Sequence, residues 1–177
     1  MAKPTLYIMC GLPFSGKTTL ARAIADQRGC VHLDLDTLAN REGFFPEEGI
    51  DDKQWSRLFS EAHQSLAALL SSGSSVVFDA VNYDRVGRDR LRAIAQQNGS
   101  AVYVIYTKLT IQELEQRRHA NRDNRQRPNV REKDFVELVR DFEVPAAEEN
   151  LLVYEGARPV AEWIHSNLPG ETGNASH

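Results

Sequence analysis

The chain has 177 residues, of which 41% are apolar and 26% charged, the length and make-up of one globular domain with room for a core. That composition excludes collagen, a disordered tail and a membrane bundle, and no run approaches the roughly 18 consecutive apolar residues of a membrane span. Lysine and arginine number 21 against 25 acids, a net charge of −4, so the surface as a whole does not point to nucleic acid. Two cysteines, Cys10 and Cys30, cannot build a disulfide scaffold. The first apolar run is too short for a signal-peptide core and meets a glycine turn instead of a cleavage site. A reduced, cytoplasmic protein is therefore expected.

Apolar runs alternate with helix-period stretches, the pattern of a parallel sheet covered by helices, and this places the chain in the α/β class. Thr5–Cys10 is the first expected strand, followed by a helix over Lys17–Arg28 and a strand at Val31–Asp34. Residues 39–51, rich in Gly, Pro and acids, are expected as a loop. Trp55, Leu58, Phe59, Ala62, Leu66, Leu69 and Leu70 fall on one face of a helix over Asp52–Ser71. Val76–Asp79 is the next strand, and Arg85–Gln97 a helix stopped by Asn98 and Gly99. A strand over 102–106 precedes Thr110 and Glu113, which form a capping box for a helix to about Arg122. Residues 132–142 are helical, Leu151–Tyr154 is the fifth strand, and 159–168 is the sixth and last helix. Residues 1–168 are thus expected to form a single domain, with 169–177 a flexible tail.

Gly11-Leu-Pro-Phe-Ser-Gly16-Lys17-Thr18 fits G-x-x-x-x-G-K-S/T, with an apolar strand before it and a helix after it. Gly11 and Gly16 allow backbone angles and close approaches that a Cβ forbids. The loop amides then converge on an anion, helped by the positive end of the helix. Lys17 brings a mobile charge to the β- and γ-phosphates, and the Thr18 hydroxyl can ligate Mg²⁺.

Two strands end in carboxylates, on the sheet edge where open α/β sheets bind ligands. Asp79 is a candidate to hold Mg²⁺ through water or to touch a substrate. Asp34 and Asp36 follow the second strand; one can cap a helix at Thr37 while the other accepts a proton from an attacking hydroxyl. Asp36 is taken as that base, with Asp34 the alternative. Residues 117–131 hold six of the chain's sixteen arginines and one acid. Arginine forks suit phosphate oxygens, so the segment is read as a closing lid over a reacting phosphoryl group. Arg118 and Arg122 share a helical face. Asn82, Arg85, Arg88 and Arg92 are candidates to line an acceptor pocket, with salt bridges to Asp84 or Asp89 the competing reading. Arg41 and Phe44-Phe45-Pro46 lie in a loop able to grip a substrate. His32, His63, His119 and His165 show no metal-ligand spacing, so no protein-bound zinc or iron is expected, and Cys10 is expected to be buried.

With these residues in order, the chain resembles small stand-alone P-loop kinases, an AAA-type group that includes the 5′-kinase domain of phage polynucleotide kinase, chloramphenicol phosphotransferase and zeta toxins. The resemblance spans about 5–165 and is most specific from Gly11 to Thr19. It implies a P-loop NTPase fold, a three-layer α/β/α arrangement with a five-stranded parallel sheet in the order 2-3-1-4-5 and an arginine-rich lid over about 117–131. It implies ATP held by Gly11, Pro13, Phe14, Ser15, Gly16, Lys17, Thr18 and Thr19. Asp36 would deprotonate the acceptor hydroxyl, Arg118 would lie against the adenine, and Arg122, or Arg125 in the lid, would reach the phosphates. Thr18 and Asp79 are the metal candidates; Asp36, Arg41, Asp79, Asn82 and Arg88 are those for the substrate. Polynucleotide kinase carries an arginine three residues after its base, where this chain has Ala39. The expected activity is transfer of the γ-phosphate of Mg-ATP to a hydroxyl, on a small molecule or a nucleic-acid 5′ end. Two readings compete: a nucleotide switch, weakened because Thr110 stands where a guanine reader has aspartate, and a nucleic-acid-binding ATPase without transfer.

Overall fold

A computed structural model of the chain describes residues 3–169. The strands are β1 (Thr5–Cys10), β2 (Val31–Asp34), β3 (Val76–Asp79), β4 (Ala101–Thr107) and β5 (Leu151–Tyr154). They form one all-parallel sheet in the order β2-β3-β1-β4-β5, the order that the resemblance implies. Parallel neighbours need crossovers, and helices supply them. These are α1 (Lys17–Arg28), α2 (Leu35–Arg41), α3 (Asp52–Ser71), α4 (Arg85–Gln97), α5 (Ile111–Asn124), α6 (Glu132–Asp141) and α7 (Val160–Asn167).

β1 explains the layering. A strand covered on both faces is apolar at every position, as Leu6 to Cys10 are. Leu6, Ile8 and Cys10 face a core shared with α2, α3 and α4. Tyr7 and Met9 face the opposite core, built with Leu20 and Ile24 of α1 and Trp163 and Ile164 of α7. A third, smaller cluster joins Leu12 and Phe14, just past β1, to Leu114 of α5 and Phe135 of α6. Leu12 and Phe14 of the glycine loop are therefore apolar because they dock the lid helices.

The expected elements are found, with two additions, α2 and a short 3-10 turn at Ala147–Glu149. Residues 35–41 are helical, so the loop begins at 42. The Asp34 carboxylate accepts from the Asp36 amide at 3.0 Å and caps the new helix. Asp51 and Gln54 form a capping box that starts α3, and Thr110 and Glu113 form the one that starts α5. α5 runs on to Asn124, so more than half of the expected lid segment is helix. Past Pro169 the expected tail lies outside the described residues. Among the described residues no helix is long and apolar enough to cross a membrane.

Candidate functional site

Because the strands are parallel, the loops after β1, β2, β3 and β4 leave the same edge of the sheet. The glycine loop is pinned from below. The Thr107 hydroxyl donates to the Cys10 carbonyl at 3.3 Å and meets the Ser15 hydroxyl at 2.6 Å. A Cβ on Gly11 would collide with that threonine oxygen, so only glycine lets the loop pass this close. The Gly11 amide donates to Val81 at 3.2 Å, which ties the loop to the end of β3. The chain enters α1 through Gly16 in the left-handed conformation, with no side-chain cap and no acid in the first turn. The amides at the positive end of α1 are thus left for an anion from outside.

Lys17 is buried, and its Nζ donates to the Leu12 carbonyl at 3.1 Å. Burial lowers its pKa, opposed by the nearby charges of Asp79 and Asp36. Thr18 is half-buried and Thr19 exposed on the first turn of α1, while Pro13 is half-buried and Ser15 and Phe14 are buried.

The carboxylates divide their work. Asp34 spends one oxygen on the Asp36 amide and the other on the Thr37 hydroxyl at 2.7 Å. Asp36 is exposed at the start of α2. The surrounding protein desolvates its carboxyl and pushes its pKa above the ordinary carboxylate value, the charge of Asp34 adds to this, and Lys17 opposes it. Asp79 is 3% exposed and opposite Asp34 in the β2–β3 register. It meets His32 Nε2 at 3.0 Å. The ligand atoms of His32, Asp34 and Asp79 lie within 4.8 Å of one another, yet hydrogen bonds already engage all three side chains.

The lid departs from expectation in which arginine faces where. Arg118, expected against the adenine, is 4% exposed and turned toward α6. Its guanidinium bonds Glu132 at 2.6 Å and Glu115 at 3.1 Å and lies 4.7 Å over the Phe135 ring. Arg117, about 100° round the helix, faces the glycine loop instead and donates to the Phe14 carbonyl at 3.3 Å. With Asn121, Asn124 and Arg127 it lines a cavity of about 210 Å³ above Phe14. Arg122 reaches Glu132 at 3.4 Å. Arg125 caps α5 in the left-handed conformation and is exposed. Arg127 sits 5.8 Å from the Phe14 ring, and its charge is felt by both Lys17 and Asp36.

Two expected substrate residues, Arg88 and Asn82, are turned into the fold. Arg88 is 1% exposed. It bonds both oxygens of Glu149, at 2.8 and 3.2 Å, and the carbonyls of Asn82 and Glu143 at 3.0 Å. Asn82, at φ +47°, is buried and donates back to the Met9 carbonyl at 2.6 Å. Together they brace the floor beneath the glycine loop and are not available to an acceptor. Arg41 pairs with Glu61 of α3. Arg85 and Arg92 pair with Asp89, in line with the competing reading, and Cys10 is buried, its thiol pushed by burial up to about 12.

Sequence reasoning missed Arg117, Arg127, Asn121 and His32. The arginines were visible as part of a basic segment, but the helix phase and the turn after Asn124 decide which of them face the loop. His32 carried a signal too, since alternation along β2 puts it on one face with Asp34.

A family model described as an AAA domain matches residues 6–145. No match is found among curated proteins. Among solved structures, a protein of Chloroflexus aurantiacus superposes with a TM-score of 0.72 at 20% identity, covering 93% of this chain and 94% of that one. A gluconokinase from Sinorhizobium meliloti gives 0.65 at 20% identity, with 93% and 90% covered. The APS kinase of Mycobacterium tuberculosis, in complex with AMPPNP and APS, gives 0.67 at 16% identity, with 93% and 95% covered. At these identities the likeness is one of fold.

Proposed function

The chain belongs to the AAA domain family, and we propose from its site that it is an ATP-dependent kinase acting on a hydroxyl acceptor. One observation carries this. A carboxylate that no cap consumes, Asp36, stands at the C-terminal edge of the sheet within the fields of Lys17 in the glycine loop and Arg127 above it. A carboxylate so placed can take the proton of an attacking hydroxyl, and the transfer panel separates an acceptor hydroxyl from water.

The loop amides and Lys17 bind the β- and γ-phosphates; Lys17 exchanges its bond to Leu12 for the more strongly charged phosphate oxygens. Thr18 and Asp79 are oxygen donors that suit a hard cation, and His32 fixes one Asp79 oxygen. They would hold Mg²⁺, which when bound neutralises charge on the phosphates. Asp36 takes the proton of the acceptor hydroxyl as its oxygen forms the bond to the γ-phosphorus, and the bridging P–O bond to the β-phosphate breaks to release ADP. Its raised pKa brings a carboxyl closer to that task. The lid arginines Arg117, Arg125 and Arg127 offer charge to the phosphoryl group, and the closed lid keeps water out. The named activities of the gluconokinase and APS kinase neighbours, both phosphoryl transfers to an acceptor, lend support.

The test is transfer of label from γ-labelled Mg-ATP to a panel of 5′-hydroxyl oligonucleotides, nucleosides, sugars and hydroxylated antibiotics. Lys17→Ala should abolish turnover of every kind. Asp36→Asn should keep ATP binding and lower transfer by about 10²–10⁴-fold, the usual contribution of a general base. Label released only as free phosphate from every mixture would overturn the kinase reading in favour of an ATPase.

A further inference from the structure

Resting on the kinase reading for its consequence but not for its geometry, the following concerns the loop 42–51. It lies on the acceptor side, between α2 and α3, and the lid loop 125–131 reaches it. Glu47 accepts the Asn129 amide at 2.8 Å. Arg131 packs so closely on Gly49, at φ +88°, that a Cβ there would collide with the guanidinium. These two contacts join segments about eighty residues apart in the chain.

The lid loop is also gripped from behind. Asn121, 6% exposed on α5, donates to the Arg127 carbonyl at 2.9 Å and to the Asn129 side-chain oxygen at 2.8 Å, and accepts the Arg127 amide at 3.2 Å. A buried amide with its donors and acceptor all engaged has one orientation. Arg127 thus has its backbone held at both N–H and C=O while its guanidinium lies over Phe14. Asn129 is held on its side chain by Asn121 and on its amide by Glu47. A continuous run of contacts leads from the acceptor-side loop to the arginine above the glycine loop.

We propose that Glu47 is a positioning residue: through Asn129 and the Asn121 clamp it sets the place of Arg127 over the phosphates, so the acceptor-side loop governs how the lid arginine is presented. Glu47 is exposed and touches neither the nucleotide loop nor Asp36. An acceptor that moves the 42–51 loop therefore moves the lid, and the site is completed only when both loops are in register. Lid closure is tied here to the acceptor side as well as to ATP.

The test compares Glu47→Ala with Glu47→Gln, which retains an oxygen to accept the Asn129 amide. Amide exchange is measured across the chain with and without Mg-AMPPNP, together with AMPPNP affinity and Mg-ATP turnover. Glu47→Ala should speed exchange at Asn129 by about fivefold or more, lower turnover by about the same factor, and leave AMPPNP affinity and the exchange of β1 and β4 amides unchanged. Glu47→Gln should restore most of both losses. Unchanged Asn129 exchange in Glu47→Ala, or Glu47→Gln failing as fully as Glu47→Ala, overturns the proposal. The exchange arm stands whether or not an acceptor is found, so failure of the kinase reading in the transfer panel is a separate result.

Discussion

The sheet body and the α5–α6 lid both spend arginine, and they spend it in opposite ways. In the body, Arg88 is sealed between α4 and the turn before β5, with Glu149 and two carbonyls closing its donors. In the lid, Arg125 and Arg127 stay exposed, while Arg118 is buried against Glu115 and Glu132, and Arg122 and Arg131 make exposed pairs with Glu132 and Asp134. The apolar support differs in the same sense. β1 is buried on both faces between two large clusters, while the lid rests on the glycine loop through Leu12, Phe14, Leu114 and Phe135. A region held by few buried contacts opens at lower free energy than the core. The body therefore holds a fixed phosphate cradle, and the lid keeps its charge available and its position adjustable.

The sharpest way to break this contrast is to attack the body's arginine. Arg88→Ala takes from the buried Glu149 the guanidinium that bonds both its oxygens and leaves it Arg85, at 3.6 Å, as its cation, and removal of one member of a buried pair costs about 3–5 kcal/mol. Arg88 holds Glu149 below the ordinary carboxylate pKa against the burial that raises it. Thermal unfolding should show the loss in full, with the whole sheet melting together. Replacing both members, Arg88→Met with Glu149→Leu, should recover much of it. A loss under about 1 kcal/mol for Arg88→Ala, the scale of a solvent-exposed pair, would return Arg88 to the candidate substrate residues.

Phe135→Ala probes the other side. Truncation of a buried phenylalanine costs about 3–5 kcal/mol where the surroundings cannot escape. Here they can: once the lid opens, nothing more is lost, so the fall in global stability is capped at the free energy of lid opening. The expected result is a smaller shift in Tm than for Arg88→Ala, faster amide exchange confined to α5, α6 and the loop between them, and weaker AMPPNP binding as Phe14 loses its support. A drop in Tm equal to that of Arg88→Ala would mean that lid and body unfold as one unit.

The same contrast decides what could be read from the chain itself. The body was legible because periodicity dictates it: β1 is apolar at successive positions, α3 repeats its leucines at helical spacing, and the glycine loop carries its motif between them. That one of Asp34 and Asp36 caps a helix was legible, because an N-cap consumes one carboxylate, and the cap proves to be Asp34. α2 was obscured by its shortness, a single cap followed by seven helical residues, with Gly43 two positions beyond them. The lid was legible as composition and illegible as geometry. Which of its arginines meets Phe14 depends on helix phase, on the left-handed turn at Arg125 and on the Asn121 clamp, and a one-residue change of phase exchanges Arg117 for Arg118. Arg88 and Asn82 misled for the opposite reason: polar residues following a strand-end carboxylate look like a pocket, and only packing shows them turned inward.

The smallest effect expected is the most direct reading of how the cleft sets its base. Asp36 sits among Asp34, Asp79, Lys17 and Arg127. Desolvation by the surrounding protein and the two other carboxylates raise its pKa, and the two cations lower it. A base works when deprotonated, so the acid limb of turnover against pH should lie above the ordinary carboxylate range of about 4. Asp34→Asn removes one carboxylate charge and keeps a good helix cap. The sign follows: without the Asp34 charge the Asp36 carboxyl ionises more readily, and the acid limb moves to lower pH. On the neutral plateau Asp36 is already ionised in both proteins, so the rate should agree within about twofold. A limb that moves upward, or a plateau that collapses as it does for Asp36→Asn, would make Asp34 the base and Asp36 its neighbour, reversing the division of work between the two carboxylates.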